Sequence, residues 1–187
     1  RDGSILLEGQ RISAVGKSDE ISKINADRVI NGQDMVVTPG FVNGHCHISY
    51  AHATRGVFPD DLGSEYLANV FRLQSSMSAE EEHYTSLLAI TELLSYGTTT
   101  IMDPGSTKHV DACMGAYEQS GLRIITGTQI TDRKNPYRMP VYTHSEALNA
   151  TENFINQFGG ALEGRVTAWA MPFSPEYVSG GLLTDLK

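Results

Sequence analysis

Cysteine is scarce in this 187-residue chain: Cys46 and Cys113 are the whole supply. Two thiols cannot build the multi-bridge framework of a small secreted domain, so a reducing cytoplasm is the default compartment. Positive charge is also short. Fourteen Lys and Arg stand against 22 Asp and Glu, a net charge of −8, whereas nucleic acids and anionic membrane surfaces select basic patches. A small neutral or cationic molecule fits this balance better as a partner. No apolar run is long enough to span a bilayer, and no basic n-region followed by an apolar h-region reads as a secretory signal. The first residue is Arg1 rather than Met, from which the expectation is that something upstream has been lost. Nothing points to disorder, since 40% apolar and 19% charged residues are an ordinary globular mixture.

What is present is concentrated in Thr38-Pro39-Gly40-Phe41-Val42-Asn43-Gly44-His45-Cys46-His47, an apolar strand ending in two histidines one residue apart. Alternate side chains of a strand share a face, so His45 and His47 point one way and Cys46 the other. Two imidazoles so placed can grip one metal ion. Taken alone, His-x-His is equally a pair of polar residues at an exposed strand end. Here Pro39-Gly40 breaks the chain just before the strand, and Gly44 leaves room beside the first histidine.

The segments on either side differ in pattern. Ser4 to Glu8, a Gly9-Gln10 turn, Arg11 to Val15 and Asp34 to Val37 read as short strands of a small β unit. From Phe41 onward apolar strands alternate with amphipathic helices. Strands are expected at Phe41 to His47, Thr98 to Asp103, Leu122 to Thr128 and Val166 to Met171. Ser78 with Glu81 forms a capping box, and Leu87, Leu88, Ile90, Thr91 and Leu94 line the apolar face of the helix that follows. Val110 to Gln119 and Glu146 to Phe158 are helices ended by Gly121 and Gly159. Strand followed by helix implies parallel pairing with right-handed crossovers. A closed eight-stranded barrel takes about 250 residues, so four strands after Phe41 make half of one, and the expectation is a piece of a longer protein.

The run PGFVNGHCHISYAHATRG, Pro39 to Gly56, resembles the first-strand signature of the metal-dependent amidohydrolase superfamily. The likeness continues through SAEEEHYTSLLAITELLSYGTTTIMD, GLRIITG and GRVTAWAMPFSPEYVS. Within the superfamily it is nearest the branch of cytosine and guanine deaminases, S-adenosylhomocysteine and methylthioadenosine deaminases, and triazine hydrolases. The fold this implies is α/β: part of a small β-sandwich domain over 1–38, then over 39–187 the first four βα units, the N-terminal half of a (β/α)8 TIM-type barrel. His45 and His47 become ligands of one divalent metal ion, Zn with Fe as the alternative. The resemblance puts the other ligands, histidines on the fifth and sixth strands and an aspartate on the eighth, beyond Lys187, with the proton-shuttling glutamate. The catalytic acid and base are therefore not among these residues.

Superfamily members with two metals use a lysine on the third or fourth strand, and Leu122 to Thr128 and Val166 to Met171 contain none, which favours a single ion. The implied reaction is hydrolysis of a carbon-nitrogen bond other than a peptide bond, as in deamination of a small aromatic heterocycle by metal-activated water. His52 and Arg55 on the following loop, and His109 at the start of a helix, are candidates for substrate contact; a solvated loop histidine, an ion pair and a capping residue are their ordinary alternatives. The branch commonly carries Pro-His-Ser-Pro after the fourth strand with its histidine on the substrate, whereas here Phe173 occupies that place. This favours a more hydrophobic heterocycle. Two readings compete: a non-catalytic fragment or subunit that needs a partner half-barrel, and a ring-opening or dechlorinating hydrolase of the same superfamily. The resemblance leaves open a homo-oligomer of the full-length protein.

Overall fold

The computed structural model of the chain describes residues 2–63, 65–105 and 108–187. Two compact units divide at Thr38, Arg1–Thr38 and Pro39–Lys187. In the first, β1 (Gly3–Glu8) and β2 (Arg11–Lys17) form an antiparallel hairpin with an irregularity between Leu6 and Leu7, followed by the one-turn helix α1 (Ser18–Ile21). Gly9 takes the left-handed φ of 59° that so tight a connection needs. The strand expected over Asp34 to Val37 does not form. Asp34 sits at φ 61°, and the Met35 amide donates to Gly32 O in a turn. Among the described residues the sheet of this unit contains only β1 and β2, so no neighbour there receives the ladder bonds of a third strand, and Val36 is 89% exposed.

The second unit runs β3 (Phe41–Asn43), α2 (Ala51–Thr54), a 3-10 turn (Asp60–Leu62), α3 (Glu65–Ser76), α4 (Ala79–Ser95), β4 (Thr98–Met102), α5 (Val110–Ser120), β5 (Arg123–Thr126), β6 (Gln129–Ile130), α6 (His144–Phe158), α7 (Ala161–Gly164), β7 (Val166–Ala168), β8 (Met171–Pro172) and α8 (Gly180–Asp185). β3, β4, β5 and β7 pair in that order as a parallel sheet, and β6 pairs with β8, also parallel. The strand-helix alternation read from the sequence is thus an α/β unit with a parallel sheet. α3, α8 and the short pair β6 and β8 are additions that the periodicity did not single out.

One face of the sheet carries the core. Ile101, Ile124 and Val166 lie side by side across the strands and are buried against Ala89 and Ile90 of α4, Tyr117 of α5 and Phe154 of α6. The opposite face is half-buried or open: Val42 is 67% exposed, and Thr100, Met102 and Ile125 are partly exposed. Both capping boxes form, Ser78 with Glu81 on α4 and Thr143 with Glu146 on α6, and Gly121 closes α5 in the left-handed conformation.

The apolar face assigned to α4 is rotated. Ile101 is buried and Leu87 partly so, but Leu88 and Leu94 are 60% and 39% exposed. The buried positions are Glu82, Ser86, Ala89 and Ile90, which keep helical spacing but include two polar residues that a purely apolar criterion rejects. Glu82 is fully buried because its carboxylate accepts the backbone amides of Lys108 (3.1 Å) and His109 (2.6 Å). Gln74 of α3 donates to the same carboxylate at 3.4 Å. One side chain thereby ties α3, α4 and the start of α5. Glu82→Ala orphans both amides at roughly 1–3 kcal/mol each, so a loss of about 3 kcal/mol in denaturant unfolding of the full-length protein is expected, and an unchanged midpoint would refute the anchoring role.

Candidate metal and substrate site

The sheet strands all point the same way, so the segments leaving β3, β4, β5 and β7 gather at one rim. The first of these holds the histidine pair. β3 ends at Asn43, four residues short of the expected His47, because the Asn43 side chain accepts the His45 amide at 3.1 Å and turns the chain out of the ladder. One strand-like bond resumes beyond the turn, from the Cys46 amide to Met102 O at 2.9 Å. The pairing of the two imidazoles survives this change: their ring centroids lie 5.0 Å apart at an interplanar angle of 88°.

Next along the segment, the Asp103 carboxylate at the end of β4 steadies the loop. It is fully buried and accepts the amides of Gly105 (3.1 Å) and Ile48 (3.5 Å). Gly105, at φ 79°, lies where any Cβ would collide with Gly127 O, and a Cβ on Gly127 would in turn meet Trp169 O. Glycine alone allows the rim to close this tightly.

The electrostatics suit a cation. Burial, and then the neighbouring His45, push His47 down to about 4, so near pH 7 its ring is neutral with a lone pair to offer. Burial, and then the Asp103 carboxylate, raise the Cys46 thiol, which keeps its proton and does not compete as a thiolate. An ion about 2.0–2.1 Å from a nitrogen of each ring would stand roughly 3 Å from each ring centre, a reach compatible with the 5.0 Å between them. Two ligands are short of the three that a catalytic zinc usually takes from protein. Among the described residues no group of three His, Cys, Asp or Glu could hold a metal ion.

The other sequence candidates separate into two groups. His52 and Arg55 are drawn to the helix layer: His52 Nε2 lies 2.9 Å from Glu92 Oε2, and the Arg55 guanidinium donates to both Glu92 oxygens at 2.8 and 3.2 Å. They bind α2 to α4, while His52 Nδ1 is buried without a hydrogen-bond partner. His109 is likewise structural, its amide on Glu82 and its Nε2 3.2 Å from Met77 O. These contacts are the ion-pair and local-bonding alternatives weighed for the three residues. His83 lies 2.8 Å from Ala112 O through Nδ1, joining α4 to α5.

Hydrogen bonds from Arg55, and then from His52, hold the Glu92 carboxyl down to about 2. A carboxylate whose folded value lies below its unfolded one contributes stability above about pH 4.5 and loses it as pH falls toward 2. Glu92→Gln is therefore expected to flatten the acid limb of a melting-temperature profile between pH 4.5 and 2. An unaltered slope would remove this ion cluster from the acid response.

Phe173 behaves differently from the other candidates. His47 stacks on Tyr50 (5.3 Å, 28°), Tyr50 meets Phe71 of α3 at 6.0 Å, and Phe71 meets Phe173 at 6.2 Å. Tyr137 and Tyr177 complete the group, at 5.7 and 6.0 Å from Phe173. A continuous path of rings thus leads from the histidine pair to the segment after β8. Sequence reading missed Tyr50, Phe71, Tyr137 and Tyr177. Phe71 lies on α3, which the periodicity did not single out, and no sequence signal brings its ring to Phe173.

A parallel α/β unit with paired histidines at the C-terminal rim of its first strand defines a recognisable class of hydrolase scaffold. The amidohydrolase family profile matches residues 36–183, and the chain belongs to that family. It is 31% identical over 188 residues to a 5-methylthioadenosine/S-adenosylhomocysteine deaminase of Carboxydothermus hydrogenoformans, with 99% of this chain and 41% of that protein covered. A 5'-deoxyadenosine deaminase of Methanosarcina acetivorans is 30% identical over 190 residues, covering 100% of this chain and 41% of that one. The chain thus spans about two fifths of the length of these curated relatives. Among solved structures, guanine deaminase of E. coli superimposes with TM-score 0.70 at 20% identity, covering 98% of this chain and 42% of the other. Atrazine chlorohydrolase of Arthrobacter aurescens complexed with zinc gives 0.77 at 22% identity, over 97% and 44%. At such identities the likeness is one of fold.

Proposed function

We propose that Pro39–Lys187 is the first half of a (β/α)8 barrel, preceded in 1–38 by part of a small β-sandwich domain. The full-length protein is then a metal-dependent hydrolase of carbon-nitrogen bonds other than peptide bonds, deaminating a small aromatic heterocycle. The observation that carries this reading is the juxtaposition of His45 and His47 at the strand rim, 5.0 Å between ring centroids, with an aromatic path leading away from them. The half-barrel is supported by a parallel sheet that is covered on one face only, since parallel sheets are stable when both faces are covered.

His45 and His47 would hold one divalent metal, zinc with iron as the alternative. When bound, such an ion supplies Lewis acidity and lowers the pKa of water. This chain's own residues do the rest of what can be assigned to it. The neutral His47 offers its lone pair; Cys46 stays a thiol; Asp103 fixes the loop by accepting the Ile48 amide. The rings beyond Tyr50 offer an apolar aromatic surface to a heterocycle and displace water from it. The remaining ligands and the proton-transfer group belong, on this reading, to the rest of the protein. The test is ammonia release by the full-length protein from a panel of purines, pyrimidines, pterins and triazines, alongside metal analysis by mass spectrometry. About one metal per chain with release from at least one substrate is expected; a metal-free protein inert on the whole panel would overturn the proposal.

A further inference from the structure

The aromatic group beyond Tyr50 is built from three separate segments, and one of them is held in place by an unusual degree of side-chain bonding. Phe71 comes from α3, Tyr137 from the loop between β6 and α6, and Phe173 and Tyr177 from the segment after β8. Phe173 and Tyr177 lie nearly parallel at 24°, while Tyr137 stands across them at 78° and 85°. All four rings are only partly buried, so each keeps surface to offer. No ionised side chain takes part in these ring contacts; Arg133, Lys134 and Arg138 of the Tyr137 loop and Glu176 beside Tyr177 are exposed, and the half-buried Asp132 is engaged by Ser179.

That loop does not depend on the rings for its shape. Asn135 Oδ1 accepts the amides of Tyr137 (3.1 Å) and Met139 (3.0 Å), and its Nδ2 donates to Met139 O (3.3 Å) and to Thr131 Oγ1 (3.4 Å). The Thr131 hydroxyl donates in turn to Pro140 O at 2.7 Å. These bonds close a turn in which Arg138 adopts a left-handed φ of 57°, a conformation that costs energy for a residue with a Cβ and persists where its surroundings impose it. The loop is also fastened to the segment that carries Tyr177: Asp132 accepts the amide and the hydroxyl of Ser179, and the amides of Asp132 and Arg133 donate to Tyr177 O. A hydrogen-bonded frame of this kind fixes Tyr137 before any ligand arrives, which lowers the ordering cost of binding.

Resting on the reading that the rim at His45 and His47 is the reaction centre, we infer that Phe71, Tyr137, Phe173 and Tyr177 form a distal wall that selects heterocycles bearing an uncharged apolar substituent. Asn135 is the positioning residue that fixes Tyr137 in it. The chemistry is differential. Aromatic faces gain dispersion and stacking with an apolar group, whereas a carboxylate or ammonium placed there gives up hydration and finds no counter-charge among the rings.

Two matched pairs test this on the full-length protein: the N-ethyl and N-carboxymethyl derivatives of one aminotriazine, and 5'-methylthioadenosine against S-adenosylhomocysteine. Binding is read by calorimetry on chelator-treated protein, and KM and kcat on metal-loaded protein. Within at least one pair the apolar member is expected to bind about tenfold tighter, the scale of an aromatic contact. Phe173→His, Tyr137→Ala and Asn135→Ala should each erode that ratio, with KM moving and kcat holding for Asn135→Ala, while Tyr137→Phe retains it. Because the readout is a ratio of two ligands, a variant that merely folds poorly lowers both members alike, and Asn135→Asp offers a milder lesion should the alanine variant not fold. Equal binding of both members in both pairs, or a ratio untouched by the ring variants, would overturn the inference. Ammonia release with no such ratio would leave the deaminase standing without the wall. A ratio with no ammonia release would leave the wall standing and remove the reaction.

Discussion

Alanine at His45 or His47 in the full-length protein is expected to remove the bound metal and with it the hydrolase activity, each variant losing more than the roughly 10–100-fold that loss of an outer-sphere partner costs a metal site. The two rings lie 5.0 Å apart by centroid and are the only described pair placed so at the rim. A catalytic zinc keeps about three protein ligands and one open position, so removing one leaves too few to retain the ion or to orient what it activates. The checks are metal content by mass spectrometry and ammonia release under identical conditions. The melting temperature of each metal-free variant, compared with that of the metal-free parent, controls for folding. A variant with full metal content and undiminished turnover would end the assignment.

The second large effect concerns residues 1–187 expressed alone. They should be poorly soluble or oligomeric, and without hydrolase activity. Among the described residues the four-stranded parallel sheet has two unpaired edges, β3 and β7, and on β3 the side chains of Phe41 and Val42 are 59% and 67% exposed. Unpaired strand edges with apolar side chains template association with other chains. The hairpin of the first unit adds Leu7, Ile12 and Val15, each at least 66% exposed, which is far more apolar surface than an isolated small unit tolerates. Size-exclusion chromatography with light scattering distinguishes the outcomes, and a soluble, monomeric, metal-loaded and active 187-residue protein would show that the open sheet needs no further chain.

Much of the fold is legible where one local rule decides. The Ser78/Glu81 capping box starts α4 because the side chains satisfy amides that a helix always leaves open, and Gly121 ends α5 because a left-handed residue is needed there. The exposed Leu88 and Leu94 mark where local rules stop deciding. Helical spacing placed a stripe on α4, but which of two adjacent stripes turns inward was settled by Glu82, whose carboxylate found two loop amides 26 and 27 residues away along the chain. The partners of His52, Arg55 and His109 were hidden for the same reason. A polar side chain near a rim reads as a ligand contact until a closer acceptor, here Glu92 or Met77 O, is known.

By itself the sequence determined the strand-helix alternation, the helix ends, the absence of a disulfide framework and the nearness of two histidines separated by one residue. All of these depend on interactions within a few positions of the chain, and they hold whatever the rest of the molecule does. The histidine pair shows how robust such short spacing is, since it survives the loss of the strand that was expected to produce it: Asn43 breaks the ladder, and the rings still meet because the linker between them is too short to part them far. Only the tertiary structure decided which acidic residues are buried, which polar side chains bond to the helix layer, and that Phe71, Tyr137, Phe173 and Tyr177 converge. Those outcomes join segments up to about a hundred residues apart. They follow from competition among many partners for the same hydrogen bonds and the same apolar surface, a competition that is resolved only when the parallel sheet brings its loops to one edge.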